Sequence, residues 1–276
     1  MTAATVPSTR TQRSYLRELW GRREFAWYSA LAAIQARSST TALGLVWWML
    51  NPLMLGLVFL VVFGFILDTH RGDPNYIGFI LSGLFPFYAT RTVMASGATS
   101  MTSNARLIAT RQFPRILLPI TAVIEATLAL AGALVGFFLI AGFAAGDWPG
   151  VHTLILGPAF VIHTVFNIGL ATLLAQLILR FRDVQNITQY FGRIWLYTSP
   201  VIWPIDVRLD NLPNWAVQIF AYNPMASILG LYRGALLGRD VEFHHWWRSI
   251  SWAVLIFVIG IWSFARKEDD LVRYLD

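Results

Sequence analysis

The residues best suited to chemistry are a few polar side chains set within long apolar runs: Arg91, Glu125, His163, Asn167 and Arg193. Glu125 and Arg193 each lie ten residues beyond a charged loop, which places both about 15 Å along a helix from that loop. An isolated charge at such a depth costs at least about 2.5 kcal/mol. We therefore predict an ion pair between them, which either locks the helices together or takes part in gating or substrate passage.

Motifs for common enzyme chemistries are missing from the sequence. It contains no Gly-x-x-x-x-Gly-Lys-Ser/Thr loop, no His-Glu-x-x-His and no Gly-x-Ser-x-Gly. Cysteine is absent, and His244-His245 lack further ligands, so packing is favoured over a metal site. We expect a chain that is not an enzyme, has no ATPase loop of that type, and binds no cofactor or metal itself.

The composition indicates a membrane protein that crosses the bilayer several times. Hydrophobic residues make up 56% of the chain, charged residues 13%, and the mean hydropathy is +0.56, whereas soluble proteins carry about 25% charged residues. The net charge of +6 does not indicate nucleic-acid binding, because the basic residues are spread over loops and no nucleic-acid motif occurs.

Apolar runs predict an all-α fold with six spans, at residues 44–67, 76–94, 116–145, 154–179, 184–205 and 249–265. Most arginines fall on the side shared by the two termini. The positive-inside rule therefore predicts cytoplasmic termini for a multi-pass protein of the bacterial inner membrane.

The N-terminal 40 residues differ from the transmembrane domain predicted over 41–276. Residues 1–14 are small, polar and basic, and are predicted to be disordered. Residues 15–40 mix aromatic residues with arginines, which favours an amphipathic helix lying in the membrane surface. A soluble helix packed on a partner is the alternative.

Residues 206–248 lie on the outer side in this topology, although much of the segment is apolar. Pro213 and Asn223-Pro224 divide it into pieces too short to cross the membrane. We predict two short re-entrant helices before the last span. A surface cap of amphipathic helices is the alternative.

A basic segment, residues 98–120, separates the second and third spans. It contains no acid, and its basic residues are Arg106, Arg111 and Arg115. Thr102, Ser103 and Asn104 are candidate N-caps for a helix over about 105–112. Leu107, Ile108 and Phe113 would form its apolar side. The segment is either a device that receives motion at the cytoplasmic face or an ordinary positive-inside loop.

Aromatic residues concentrate in the fifth predicted span and its exit, notably Tyr190, Trp195, Tyr197 and Trp203. Such residues commonly form belts at the membrane interface. Sugar rings also stack on aromatic faces, so the same residues could line a path for a glycan.

Several short motifs occur in an order that resembles the permease subunits of ABC-2-type polysaccharide exporters, which export lipid-linked O-antigen, teichoic acid, capsule or cell-wall galactan. They are Leu43-Gly44-Leu45-Val46-Trp47 with Asn51-Pro52-Leu53, residues 104–118, Arg182-Asp183-Val184, Ser199-Pro200-Val201-Ile202-Trp203-Pro204, Leu212-Pro213, and Tyr222-Asn223-Pro224 with Arg233. Together they span residues 43–233.

The resemblance implies a homodimer with a channel between the protomers, driven by a separate ATPase subunit that binds ATP and Mg²⁺. The coupling helix would comprise Thr102, Asn104, Arg106, Leu107, Arg111 and Phe113. The gate would comprise Pro200, Pro204, Pro213, Asn223, Pro224 and Arg233. We further expect Arg22, Arg23 and Arg37 to guide the pyrophosphate headgroup of the lipid-linked polysaccharide, with galactan as the first glycan to test.

Three other functions are alternatives, and the sequence favours none of them. One is an ABC-2 permease for a drug or a small lipid, which the aromatic residues and the gate motif argue against. A membrane-embedded glycosyl or acyl transferase would need paired acids or histidines near one membrane surface, but the spans contain only Glu125 and His163. An ion-coupled transporter would need acid clusters and repeated half-sequences, and neither is found in the sequence.

Overall fold

The computed structural model describes residue 19 and residues 21–39, 43–44, 46–59, 61–62, 76–111, 113–145, 150–203 and 213–272. All regular secondary structure in these ranges is helical, which confirms the all-helical prediction. The predicted disorder of 1–14, the gate residue Pro204 and the loop after the first span lie outside the described residues.

The helices are numbered in chain order over the described ranges. They are α1 Arg23–Ser38, α2 Val46–Phe59, α3 Tyr76–Thr92, α4 Ala98–Ser103, α5 Ala105–Thr110, α6 Leu117–Ala145, α7 Leu156–Arg180, α8 Val184–Thr198, α9 Asn214–Ala221, α10 Pro224–Leu237 and α11 Phe243–Val272. A π-helical turn at Val93–Gly97 joins α3 to α4, and a 3₁₀ turn at Val151–Ile155 leads into α7.

Three helices in the described ranges are long and apolar enough to cross a membrane: Leu117–Leu139, Val151–Arg180 and Phe243–Glu268. They correspond to the third, fourth and sixth predicted spans. The other three spans remain predictions.

The second apolar run continues as a helix beyond its predicted end near residue 94. Through the π turn, α3 runs directly into α4, and all residues on both sides of the turn keep helical backbone angles. The first part of the basic segment is therefore an extension of this helix. Small and hydroxylated residues after Met94 lower the hydropathy without breaking the helix, which explains the early predicted end.

The fifth predicted span, 184–205, is too long. Helix α8 has 15 residues and ends at Thr198, because Ser199 is extended with φ −91° and ψ 147°. A residue that precedes proline is disfavoured in the helical conformation, and Pro200 imposes this on Ser199. At about 22 Å, α8 alone is shorter than the apolar core of a bilayer, about 30 Å.

The last span is longer than the predicted 249–265. Helix α11 has 30 residues, because the helix continues through the polar residues at both ends of the apolar run. His244 to Arg248 form its first turns, and Arg266, Lys267 and Glu268 lie near its other end. Hydropathy alone missed these turns because charge at the end of a span does not end a helix.

Helices α7 and α11 approach closely at two glycines. A Cβ atom on Gly169 would lie 2.5 Å from the carbonyl oxygen of Ile256, and one on Gly260 would lie 2.5 Å from the carbonyl oxygen of Gly169. Gln176 adds a hydrogen bond across the interface, donating from Nε2 to Ser263 Oγ at 3.1 Å. This contact makes α7 and α11 a tightly packed pair.

Helix α10 lies inside the protein, packed against α3, α7 and α11. Most of its side chains are buried, including the large Tyr232, Met225, Ile228 and Leu229. It ends at Leu237 and is followed by Gly238, whose positive φ of 63° is a conformation that favours glycine. The two short helices expected from Pro213 and Asn223-Pro224 are present as α9 and α10, while their position relative to a membrane remains a prediction.

Candidate functional site

The basic segment bends at Asn104, between α4 and α5. Asn104 leaves the helical conformation with φ −111° and ψ 23°, and its side chain donates a hydrogen bond to the Ser100 carbonyl at 2.8 Å. The Thr102 hydroxyl likewise donates to the Thr99 carbonyl at 2.9 Å. A helix does begin after Asn104, but the predicted side-chain cap is wrong because these groups bond back to carbonyls of α4.

The two sides of α5 differ in exposure. Ile108 is buried, and Leu107 and Phe113 are partly buried. They belong to an apolar cluster at one end of the bundle that also contains Met101, Ile116, Leu179 and Phe264. Arg106 and Arg111 are exposed. The segment therefore rests on the ends of α7 and α11 and turns Arg106 and Arg111 outward.

Glu268 on α11 fixes the turn that follows α5. Its carboxylate accepts a hydrogen bond from the Arg115 backbone N–H at 2.6 Å, and the Arg115 guanidinium donates to the Glu268 carbonyl at 3.4 Å. Only 6% of Glu268 is exposed. A carboxylate at the start of α6 also interacts favourably with the helix dipole. Sequence analysis missed this contact because it joins residues 153 positions apart.

Within the segment 15–40, predicted to form an amphipathic helix, the structure has helix α1 over Arg23–Ser38. Its position in the membrane surface stays a prediction. Helix α1 packs against α6, with Ala26, Ala30 and Ile34 buried at a spacing of four residues. Trp27 and Tyr28 on the same helix are exposed.

The start of α1 lies near the basic segment. The rings of Phe25 and Phe113 have centroids 5.3 Å apart. An open cavity of about 630 Å³ separates the two elements, lined by Gly21, Arg22, Glu24, Phe25, Leu107, Arg111 and Phe113.

The three arginines predicted to guide a headgroup are not in one place. Arg22 and Arg23 lie at the start of α1, whereas Arg37 is in its last turn. Fourteen residues of helix separate Arg23 from Arg37, or about 21 Å. The Arg37 side chain lies outside the described residues, so the headgroup role of the three arginines stays a prediction.

Asn223 connects α8 to α10 through both ends of its amide. Its Oδ1 accepts hydrogen bonds from the Met225 backbone N–H and from Trp195 Nε1, both at 3.0 Å. Its Nδ2 donates to the Ser199 hydroxyl at 3.0 Å and to the Thr198 carbonyl at 3.3 Å. Asn223 thus caps α10, with Pro224 in the first turn, and holds the end of α8 against it.

Helix α11 holds the turn between α9 and α10 from the other side. Trp252 Nε1 donates to the Tyr222 carbonyl at 3.0 Å, and Arg248 Nη1 donates to the Ala221 carbonyl at 3.1 Å. The Arg248 guanidinium also lies 4.7 Å from the centroid of the Tyr222 ring.

Arg233 on α10 binds the turn that follows α8. Its Nη2 donates to the carbonyls of Pro200 and Val201, the latter at 3.1 Å. The guanidinium carbon lies 3.7 Å from the centroid of the Phe79 ring, a cation–π contact. Of the predicted gate residues in the described chain, Pro200, Asn223, Pro224 and Arg233 come together here, while Pro213 lies exposed before α9.

A buried chain of polar groups joins α3, α7 and α10. Thr90 Oγ1 lies 2.7 Å from His163 Nε2, and His163 Nδ1 lies 3.2 Å from the Tyr232 hydroxyl. All three residues are at most 2% exposed. A neutral imidazole donates through one nitrogen and accepts through the other, so both of its hydrogen bonds are satisfied. The sequence indicated only that His163 lies in an apolar run.

The predicted aromatic path divides into exposed and buried residues. Tyr190 and Tyr197 lie on the exposed side of α8, whereas Trp195 is buried and packs edge-on against Phe87 at 5.8 Å between centroids. Trp203 donates to the Tyr197 carbonyl at 3.0 Å. Trp195 therefore packs within the chain, while the two tyrosines face outward.

The predicted Glu125–Arg193 pair stays a prediction. Glu125 is half-buried on α6. Arg193 is exposed on α8, with its guanidinium 5.6 Å from the centroid of the Tyr190 ring. Arg193 also lines a cavity together with Arg91.

Comparison with known proteins shows relatives over most of the chain. It is 28% identical over 200 residues to the O-antigen export system permease protein RfbA of Myxococcus xanthus, covering 72% of this chain and 75% of that protein. It is 23% identical over 236 residues to the capsule polysaccharide export inner-membrane protein CtrC of Neisseria meningitidis serogroup B, covering 83% and 85%. It is 21% identical over 207 residues to the polysialic acid transport protein KpsM of Escherichia coli, covering 75% and 79%.

No protein-family model matches the chain. The relatives nevertheless confirm the resemblance to polysaccharide export permeases that the motifs indicated.

Proposed function

We propose that this chain is the transmembrane permease subunit of an ABC exporter that moves a lipid-linked polysaccharide across the bacterial inner membrane. The observation that carries the proposal is similarity, over 72% to 85% of the chain, to proteins named for export or transport of O-antigen, capsule polysaccharide and polysialic acid. These relatives give no support to a drug permease or to a membrane-embedded transferase.

The basic segment is the part that receives motion from a separate ATPase subunit, which binds ATP and Mg²⁺. Support comes from its two unlike sides. Arg106 and Arg111 are exposed and available to a partner, while Ile108 is buried among the ends of α7 and α11. A push on the exposed side would therefore move the packed helices as well.

Two routes connect the basic segment to α10. The first runs along α4 and the π turn into α3, which form one uninterrupted helical path, and α3 contacts α10. The second runs through Glu268 into α11, whose Arg248 and Trp252 hold the turn before α10. Displacement of packed helices is an established way to transmit motion over such distances.

The working unit in this proposal is a homodimer of six-span protomers with cytoplasmic termini. The outer side of α8 supports it, because Ile187, Tyr190, Ile194 and Tyr197 are all more than 60% exposed. A contiguous exposed apolar surface of this kind suits a partner surface or a passage for sugar rings. Helices α9 and α10 form the gate at the outer side.

Depletion of the protein in its host tests the proposed function. We expect a lipid-linked polysaccharide to accumulate inside the cells while the surface glycan disappears, because synthesis continues without export. Chemical analysis of the accumulated polymer would identify the substrate. Normal surface glycan in depleted cells would contradict the proposal.

Co-purification with the ATPase subunit tests the basic segment. Arg106→Glu and Phe113→Ala should each reduce recovery of that subunit, since one reverses an exposed charge and the other removes a ring that positions the segment. Arg180→Glu is the matched control, because Arg180 is exposed at the end of α7 outside this segment. Equal recovery from all three variants would show that the ATPase docks elsewhere.

A further inference from the structure

A cavity of about 290 Å³ lies between the helical path of α3 to α4 and the first turns of α8. Its size is near the lower end of the roughly 300–1000 Å³ found for small-molecule sites. Its polar lining residues are Arg91, Thr99, Gln185, Thr188, Gln189 and Arg193. Two guanidinium groups, two amides and two hydroxyls thus surround one space.

The charge in this cavity is of one sign. No carboxylate lines it among the described residues, and Arg91 forms no hydrogen bond or ion pair with the described part of the chain. The cavity at the start of α1 differs, because Glu24 lies among its lining residues. Two guanidinium groups that line one cavity without an acid make it positively charged, which favours a bound anion.

The cavity lies between a π turn on one side and a glycine of α8 on the other. Met94 and Ala95, which line the cavity, belong to the π turn, and π turns within α-helices occur frequently at functional sites. Opposite them, Gly192 has no side chain, and a Cβ atom there would lie 3.7 Å from Arg91 Cγ. The Arg91 side chain therefore lies directly against the backbone of α8.

We propose that this cavity binds the phosphate or pyrophosphate group that links the lipid to its glycan. Arg91 and Arg193 pair with the phosphate oxygens, since a guanidinium can present two parallel N–H groups to them. The amide groups of Gln185 and Gln189 supply further donors, whereas the Thr188 hydroxyl already donates to the Val184 carbonyl at 2.7 Å. The assignment rests on the proposed function and moves the headgroup site from α1 to the side of α8.

A binding measurement tests the site with the permease and its ATPase subunit together in lipid nanodiscs. The probe is a fluorescent polyprenyl pyrophosphate. Arg91→Gln combined with Arg193→Gln should weaken its binding at least about tenfold, because two charge-assisted contacts are lost. Arg180→Gln, an exposed arginine outside the cavity, should leave the affinity within about twofold.

Competition distinguishes the possible sources of the anion. If free inorganic pyrophosphate displaces the probe, the site recognises the pyrophosphate group alone. If only unlabelled polyprenyl pyrophosphate displaces it, the lipid contributes to binding as well. Either result supports the site. The uncharged polyprenol should compete poorly. Equal competition by polyprenol and polyprenyl pyrophosphate would overturn the proposal.

Two further variants keep the test decisive. If the double arginine variant fails to fold, Gln185→Leu with Gln189→Leu alters the same cavity at exposed positions and should also weaken binding. Arg91→Lys with Arg193→Lys keeps the charge and should restore part of the affinity. If the folded Arg91→Gln/Arg193→Gln variant binds the probe as the wild type does, while the wild type exports glycan normally, the site alone is overturned. If the wild type exports no glycan, the proposed function is overturned.

Discussion

Trp195 Nε1 donates a hydrogen bond to Asn223 Oδ1 at 3.0 Å, and the same oxygen caps α10 through the Met225 N–H. One amide oxygen thus joins the last turn of α8 to the first turn of α10. Trp195 reaches it because Phe87 and Phe166 pack around its ring. The arrangement couples the helix that carries the exposed tyrosines to the helix buried at the centre.

Asn223→Ala should destabilise the protein by about 2–4 kcal/mol. Loss of a helix cap costs about 1 kcal/mol, and leaving the buried Trp195 N–H without an acceptor adds about 1–3 kcal/mol. Tryptophan fluorescence during thermal unfolding in detergent would measure the change. Asn223→Asp keeps the acceptor and should lose less, and equal losses for both variants would contradict this role of Oδ1.

Gly169→Ala should sharply lower the yield of folded protein. The added methyl would lie 2.5 Å from the Ile256 carbonyl on α11, so the two helices would have to separate. Gly157→Ala is the matched control on the same helix, because nothing lies within 4 Å of its Cβ position. It should be neutral or stabilising, since alanine favours a helix by about 1 kcal/mol over glycine. Size-exclusion chromatography of fluorescent fusions would compare the yields.

Tyr232→Phe should cost about 1–3 kcal/mol, because it leaves His163 Nδ1 without its partner in a buried position. His163→Leu should be similarly costly. If the two residues act through their hydrogen bond, the double variant will be less destabilised than the sum of the single ones. Additive losses in unfolding measurements would show that the contact contributes little.

Glu268→Ala should reduce export more than it reduces binding of the ATPase subunit. The substitution removes the acceptor of the Arg115 N–H, so the basic segment would keep its exposed side but lose its attachment to α11. Lys267→Ala, at the exposed neighbouring position, is the control. Transport in reconstituted vesicles and co-purification would be measured together. If export and recovery of the ATPase subunit fall equally, Glu268 contributes to folding or to docking of that subunit rather than to the transmission of motion.

Helix positions were largely predictable from the sequence because apolar runs and prolines act locally. Pro213 and Asn223-Pro224 correctly indicated the starts of α9 and α10. The errors occurred where local signals conflict with packing. Hydropathy ended the second span too early because Ser96, Thr99 and Ser100 are polar, yet their hydroxyls bond to carbonyls of the same helix.

The contacts that assemble the site could not be predicted, because each depends on the relative position of distant helices. A motif indicates Asn223, but its hydrogen bond to Trp195 requires α8 to end at Thr198, just before Pro200. The same holds for the buried chain through His163 and for the bond from Arg115 to Glu268. The sequence shows composition and spacing. These contacts depend on how distant helices cross, which composition and spacing do not determine.

The burial of α10 limits how a passage can open. Tyr232, Ile228 and Leu229 are fully covered by other helices of the same protomer, so swinging α10 outward alone would leave a void and unpaired polar groups. In the proposed homodimer, the less costly motion moves each protomer as a rigid body, so the width of the opening is set by the contact between the two protomers. A cross-link between α10 and α3 within one protomer should accordingly leave transport intact, whereas a cross-link between the two protomers of the proposed homodimer should stop it.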